Sequence, residues 1–297
     1  MTTPPDRDDF LYEWLSPDAG VFFRAGRLVE SVATPHQELE VFDTPQLGRM
    51  FRLDGANMTS ERDEFFYHEN LVHPAALAQD APRTALVVGG GDGGAIEELL
   101  KHPTIERVVM AELDAEVVRV ARAYFQAVHR GALDDPRLEI RIGDAFAFLE
   151  QTSEKFDLVL MDLTDPAGPA QALYTTDFYR AANRALHPAG TLSLHLGAPF
   201  FHPERFMTGM RRLSEVFAVV RPYFVPIPLY GASWGMACAS PRTDPLALTA
   251  AEVDARLTKR GIARLQYFNG DMHRAGFALP NFVRELLAPG AGSAPGT

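Results

Sequence analysis

Acidic residues recur at the points in this chain where chemistry would be done. Asp92 lies inside the run GGGDGG (89–94), Glu112 closes an apolar β-branched run, and Asp144 follows Gly143. Asp162 and Asp165 stand three apart in DLTDPAGP (162–169). One acid at a strand end commonly caps the helix that follows; five acids at four consecutive strand ends describe a pocket lined with carboxylates. Glu112 sits at the distance from the glycine run where a carboxylate can grip both hydroxyls of a ribose, and Asp144 suits the exocyclic amine of an adenine. Those two roles describe an adenosine pocket common to nicotinamide enzymes and to users of S-adenosylmethionine. The remaining groups separate the options. Asp162 and Asp165, with Asp63, Glu64, Tyr67, His68 and Glu69 crowding one upstream helix, make a site rich in carboxylates and phenols with few nearby cations. Such a site attracts a charged amine and repels a pyrophosphate or a carboxylate.

The elements that must position these groups follow from periodicity. An apolar run over 86–88 reads as a strand buried on both faces; it breaks into the glycines at 89–94, and a helical pattern starts at 95. Glycines there, Gly89 and Gly91 among them, let the backbone turn sharply and let a ligand approach main-chain N–H groups. Further strands are predicted over 108–111, 138–142, 157–161, 191–196, 219–225 and 234–239, and helices over 115–125, 145–151, 176–186 and 203–216. Strands alternating with helices imply an α/β fold with a parallel, doubly wound sheet, and ligands bind beyond the carboxyl ends of its strands. Upstream, short alternating segments at 21–23, 27–32, 38–42 and 49–53 are punctuated by glycine and proline, and predict a small antiparallel sheet. A helix is expected from Ser60 and Asp63 to about residue 79, bent or interrupted by Pro74. The expected organisation is an N-terminal β domain with its linking helix over 1–75, a Rossmann-like domain over 76–288, a frayed arm over the first dozen residues and a disordered tail over 289–297.

Composition narrows the function classes. The 297 residues are 46% hydrophobic and 23% charged, ordinary for a globular protein, and the formal charge of −11 disfavours nucleic acid or an anionic membrane as partner. A single cysteine, Cys238, excludes an intramolecular disulfide and a cysteine-based metal cluster. The opening residues carry no signal-peptide pattern and no apolar run is long enough to span a bilayer, so a cytoplasmic location is expected.

At these residues the chain resembles the spermidine synthase (polyamine aminopropyltransferase) family. The matching text is ERDEFFYHE (61–69), GGGDGG (89–94), AELD (111–114), DDP followed by GDA (134–145), DLTDPAGP (162–169), PLYG (228–231) and FALP (277–280), in family order along nearly the whole chain. The resemblance implies a methyltransferase-like Rossmann domain behind a small β domain, assembled as a homodimer or homotetramer. It implies transfer of an aminopropyl group from decarboxylated S-adenosylmethionine to a diamine, usually putrescine, with release of 5′-methylthioadenosine and without a metal or a permanently bound cofactor. Carried over by position, it makes Asp162 the base and Tyr67 its partner in holding the attacking nitrogen. Gln37, Gly89, Gly91, Asp92, Glu112, Asp144, Ala145 and Pro169 would contact the donor, with Asp92 facing its aminopropyl ammonium. His68, Asp165 and Tyr230 would line the amine site, to which Asp92 also contributes.

Two positions depart from the family pattern. Met58 and His195 stand where glutamines of the acceptor side are common, which implies an altered acceptor site, wider or more apolar, with Trp234 near its wall. Taken without the resemblance, His195 reads as a strand-end histidine satisfied by its neighbours, and Cys238 as an inert core residue. Three other functions share parts of the pattern: an S-adenosylmethionine methyltransferase, a non-catalytic polyamine- or nucleoside-binding homologue, and a nicotinamide dehydrogenase. Asp92 and the Asp162/Asp165 pair argue against the first, and retention of Asp162 and Tyr67 against the second.

Overall fold

The structure, a computed structural model, describes residues 9–166 and 168–288, the side chains of Gly168 and Pro169 excepted. The tail expected over 289–297 lies outside the described residues. Strands β1 (Phe10–Ser16) and β2 (Ala19–Arg24) pair as an antiparallel hairpin, and β3 (Arg27–Ala33), β4 (Glu38–Thr44), β5 (Gly48–Leu53) and β6 (Ala56–Ser60) form an antiparallel meander. The frayed arm is therefore corrected from Phe10 onward: FLYEWLS alternates and pairs with AGVFFR, although the charged, proline-bearing opening obscures it in sequence.

Helix α1 (Glu64–Leu77) leads into β7 (Thr84–Gly89), α2 (Gly94–Leu100), β8 (Arg107–Glu112), α3 (Ala115–Tyr124), α4 (Gln126–His129), β9 (Leu138–Ile142), α5 (Ala145–Gln151) and β10 (Phe156–Asp162). Then come α6 (Thr176–Ala185), β11 (Leu186–Gly197), α7 (Pro203–Ser214), β12 (Val219–Ile227) and β13 (Ala232–Ser240). Three helices end the described chain: α8 (Ala250–Lys259), α9 (Gly270–Gly276) and α10 (Asn281–Leu286). The seven-stranded sheet runs β12-β13-β11-β10-β7-β8-β9. Six of its strands run in one direction, five of them paired in parallel as predicted, but β13 is antiparallel to both β11 and β12. A tight turn joins β12 to β13, and a hairpin can only be antiparallel. The direction of strand succession reverses between β7 and β10, which opens a crevice beyond their carboxyl ends.

Alternate residues of β7 serve opposite faces: Ala85 and Val87 belong to one buried cluster, Leu86 and Val88 to the other. A third cluster joins Leu39, Val41, Phe51 and Leu53 of the meander to Val117, Val120, Phe125 and Val128, so the small sheet is fixed beside α3 and α4. Pro74 does not interrupt α1. Its missing N–H leaves the Asn70 carbonyl without the usual helical donor, and the Tyr223 hydroxyl donates to that carbonyl at 2.7 Å. No helix among the described residues is long and apolar enough to cross a membrane.

Candidate active site

The crevice holds a cavity of about 330 Å³. The glycine loop, the ends of β8 and β10, the start of α5, and residues of the meander and α1 enclose it. Gly90 has φ +74°, and its N–H donates to the Asp162 carbonyl at 2.9 Å, binding the loop to the end of β10. A Cβ on Gly94 would lie 2.2 Å from the His68 ring, so only glycine lets α1 bring that imidazole against the loop.

His68 bridges two carboxylates: Nδ1 lies 2.9 Å from Glu64 Oε2, and Nε2 lies 3.4 Å from Asp92 Oδ2. Burial alone would push the imidazole down, but the Asp92 charge and the hydrogen bonds to Asp92 and Glu64 outweigh it and hold His68 well above its ordinary value. Burial likewise opposes ionisation of Asp92, yet the His68 imidazolium and the Gly94 N–H hold it below the usual carboxylate range. Glu64 is paired on its other side with Arg130 at 3.0 Å. The sequence predicts few cations near the acids; here the site's own surroundings make one of its histidines cationic.

Asp162 behaves differently. Burial, reinforced by the negative charge of Asp92, pushes it up to about 7 against the pull of His68. Its Oδ2 and the Tyr67 hydroxyl are both buried and near enough to shift one another, but neither makes a well-formed hydrogen bond to a described residue. Buried polar atoms are rarely left unpaired, and two of them on one cavity wall describe a place for a ligand that can donate and accept. Glu112 is also pushed up to about 7 by burial; its Oε1 accepts from the Asp114 N–H at 3.0 Å. Asp144 spends Oδ1 on capping α5, accepting from the N–H groups of Phe146 and Ala147. Gln37 donates to Asp114 Oδ2 at 3.3 Å, tying the meander to the end of β8 while still lining the cavity. Gly89, Gly91, Asp92 and Ala145 line the same cavity, whereas the donor contact expected of Pro169 lies outside the described side chains.

A second cavity of about 230 Å³ shares Gln37, Leu53, Met58, Tyr67, Leu163, Thr164 and Tyr230 with the first. Beyond them it reaches Glu13, Asp165, His195 and Trp234. Its wall is aromatic: the rings of Tyr67 and Tyr230 lie 6.1 Å apart, and those of Tyr230 and Trp234 lie 4.9 Å apart. Tyr230 gives its hydroxyl to the Met58 carbonyl at 2.7 Å, so it offers a ring face instead of a donor. Asp63 positions that tyrosine through an N–H···O bond from Leu229, 2.7 Å. Met58 lines both cavities.

His195, expected at the acceptor site, does line this cavity, but both ring nitrogens are engaged within the protein. Trp234 Nε1–H donates to Nδ1 at 3.3 Å, which leaves the proton on Nε2, 2.8 Å from the Leu163 carbonyl and 2.7 Å from the Tyr174 hydroxyl. Burial keeps the ring neutral by pushing its pKa down. His195 thus braces the segment after Asp162. Asp165 carries a second surprise: its Oδ2 is paired at 2.9 Å with Arg205 Nη1 from α7, forty positions away. Sequence reading also missed Glu13, on β1, which burial pushes up to about 7 and whose Oε2 accepts from the Asn57 N–H at 2.9 Å. The alternation of β1 was the available signal, since it places Leu11 and Glu13 on one face of the hairpin.

A family model described as Spermine/spermidine synthase domain matches residues 64–247. A polyamine aminopropyltransferase of Nitrosomonas europaea is 50% identical over 281 residues, covering 95% of this chain and 86% of that one. Another from Moorella thermoacetica is 40% identical over 282 residues, covering 95% and 97%. Among solved structures, a spermidine synthase in complex with the transition-state analogue AdoDATO superposes with a TM-score of 0.89 at 34% identity, covering 97% of both chains. The spermidine synthase of Thermotoga maritima superposes with a TM-score of 0.86 at 33% identity, covering 97% of this chain and 96% of that one.

Proposed function

The chain belongs to the spermine/spermidine synthase family, and on that premise we propose that it transfers an aminopropyl group from decarboxylated S-adenosylmethionine to a diamine. Putrescine is the acceptor we favour, with spermidine and 5′-methylthioadenosine as products. The observation that carries this reading is the pair of unpartnered buried atoms, Asp162 Oδ2 and Tyr67 Oη, beside Asp92. A protonated amine has no lone pair, so the attacking nitrogen must first lose a proton. Asp162, with its pKa pushed up to about 7, is suited to take that proton near neutral pH. The amine lone pair then forms the new C–N bond while the C–S bond breaks, its electrons returning to the sulfonium. Tyr67 holds the nitrogen, and the Glu112 carboxylate and Asp144 take the ribose and adenine of the donor.

Asp92 gives this reading its choice of donor. The carboxylate of ordinary S-adenosylmethionine would approach a residue held as an anion by His68, a like-charge contact costing on the order of several kcal/mol at an effective dielectric near 20. The ammonium of the decarboxylated donor is instead attracted. Positioning two cations that repel each other is the main task, and the surrounding carboxylates offset the repulsion. In the second cavity the rings of Tyr230 and Trp234 suit the methylene chain and ammonium of the acceptor, with Glu13 among the lining acids. We further expect a homodimer or homotetramer, for which the exposed Tyr12, Trp14 and Phe22 of the hairpin supply an apolar face, and a cytoplasmic location. Light scattering checks the oligomeric state.

The test is incubation of the purified protein, in EDTA, with decarboxylated donor and a panel of putrescine, cadaverine, agmatine and spermidine, products identified by mass. Methylthioadenosine together with an amine heavier by one aminopropyl group is the expected result. Methyl transfer in a parallel incubation with the carboxylated donor, with none of these products from the decarboxylated one, would replace the reading by a methyltransferase.

A further inference from the structure

The charge of Asp165 is answered inside the protein before any ligand arrives, and the partner comes from α7, none of whose residues lines the acceptor cavity itself. Arg205, the third residue of α7, places Nη1 2.9 Å from Asp165 Oδ2. The room for its guanidinium is made by Gly197 at the end of β11. That residue has φ +77°, and a Cβ there would lie 2.5 Å from Nη2 and 2.9 Å from Cζ. Any side chain at residue 197 would therefore evict the arginine, so Gly197 and Arg205 act as a matched pair. The other ionisable groups facing Asp165 leave its charge balanced by Arg205 alone. His195 Nδ1 is 4.0 Å from Oδ1 but accepts a hydrogen bond from Trp234, and its ring is neutral. His202, the residue that precedes α7, is also pushed toward the neutral form by its burial and by Arg205. Glu13 and Asp54 are further acids lining the same cavity.

We propose that Arg205 is a specificity-determining residue: by cancelling the charge of Asp165 it restricts the acceptor cavity to amines with a single distal ammonium, the diamines, and disfavours acceptors with an additional ammonium along the chain. The inference rests on the aminopropyl-transfer reading for its substrate class. With the Asp165 charge compensated, Glu13 and Asp54 are the acids of the cavity left to hold a distal ammonium, and a second ammonium brought to the unpaired Asp165 Oδ1 meets a carboxylate whose charge is already answered by the guanidinium. Loss of that positive charge strengthens binding of every cationic acceptor, and most strongly of the one that places a second ammonium near Asp165.

The experiment compares putrescine with spermidine as acceptors for the wild type, Arg205→Met, Arg205→Lys and Arg205→Met/Asp165→Asn, reading kcat/KM for each amine. Arg205→Met is expected to raise the spermidine-to-putrescine ratio about tenfold, roughly the effect of one unscreened charge at this range. Arg205→Lys keeps the charge and should keep the wild-type ratio, and adding Asp165→Asn should cancel the gain. A ratio within twofold of wild type in Arg205→Met, or the same shift in Arg205→Lys, overturns the proposal. Calorimetric titration of both amines into the protein saturated with methylthioadenosine reads the same preference without turnover. A wild type that binds the amines with the expected dependence on Arg205 but transfers nothing would refute the catalytic reading alone. Should Arg205→Met fail to fold, Asp165→Asn by itself leaves Arg205 uncompensated and should lower the ratio; an unchanged ratio there refutes the proposal equally.

Discussion

Replacing Asp162 by asparagine should disable the enzyme and stabilise the protein at once. The side chain keeps its shape, and the backbone contact that anchors the glycine loop, Gly90 N–H to the Asp162 carbonyl at 2.9 Å, is untouched. Its carboxyl has been moved from the ordinary 3.8 to about 7, which at about 1.4 kcal/mol per decade corresponds to roughly 4 kcal/mol by which the empty pocket disfavours the charged form. The folded-state value lies above the unfolded one, so the penalty is absent below about pH 4, grows as pH rises, and is complete above about 7. An amide never carries that charge. Asp162→Asn should therefore raise the unfolding free energy by up to about 4 kcal/mol at pH 8 but by only about 1.5 kcal/mol at pH 5. In a chain of this size that is a rise in Tm of several degrees at pH 8. Turnover should fall by roughly two to four orders of magnitude, the usual worth of a positioned base. The wild-type kcat/KM should climb through about pH 7 as the base ionises. Calorimetry at the two pH values and a coupled assay for methylthioadenosine read both arms. Turnover within tenfold of wild type would remove Asp162 as the base; a stability gain equal at pH 5 and pH 8 would refute the claim that its charge is held against the protein's preference.

Other perturbations test separate parts of the site. Tyr67→Phe removes a hydroxyl that has no protein partner, so stability should hold while kcat drops about tenfold to a hundredfold with donor affinity intact; an equal loss of donor affinity would assign Tyr67 to the wrong substrate. Asp92→Asn should relax donor choice, narrowing the preference for the decarboxylated over the carboxylated donor by about a hundredfold in competition binding, since the like-charge contact disappears. Far from the chemistry, Glu98 is 3.0 Å from His73 and 2.7 Å from Lys101, which hold it at about 2 although burial works against ionisation. Its contribution is present above about pH 4.5 and fades as pH falls toward 2, and Glu98→Gln should cost about 3 kcal/mol in urea unfolding at pH 7 while leaving kcat/KM alone.

Much of the site was legible because it is local. The glycine run, the acids at strand ends and the strand–helix alternation are short-range patterns, and a strand, a sharp turn and a helix N-terminus are made from residues adjacent in the chain. These place Asp92, Glu112, Asp144 and Asp162 around one crevice before any coordinate is known, and the family motifs sharpen the same positions. The second half of the main sheet was legible only as strands. Its antiparallel edge depends on a hairpin, and helices α8–α10 went unpredicted, although Thr249 and Glu252 form a capping box at the start of α8. They are held by such contacts as Glu69, whose carboxylate accepts from the N–H groups of Gln266, Tyr267 and Phe268, almost two hundred positions away.

What the sequence by itself determined, then, is which groups gather around the crevice and in what order along the chain. What only the tertiary structure decided is their charge. His68 is cationic because α1 sets it between Glu64 and Asp92, Asp162 is a weak acid because the same packing buries it beside Asp92, His195 is neutral because its burial outweighs the pull of Asp165 and the Leu163 carbonyl, and Asp165 is compensated because Gly197 makes room for Arg205. Protonation and pairing are set by the field of every neighbouring group and by the water that packing removes, and those neighbours come from all over the chain.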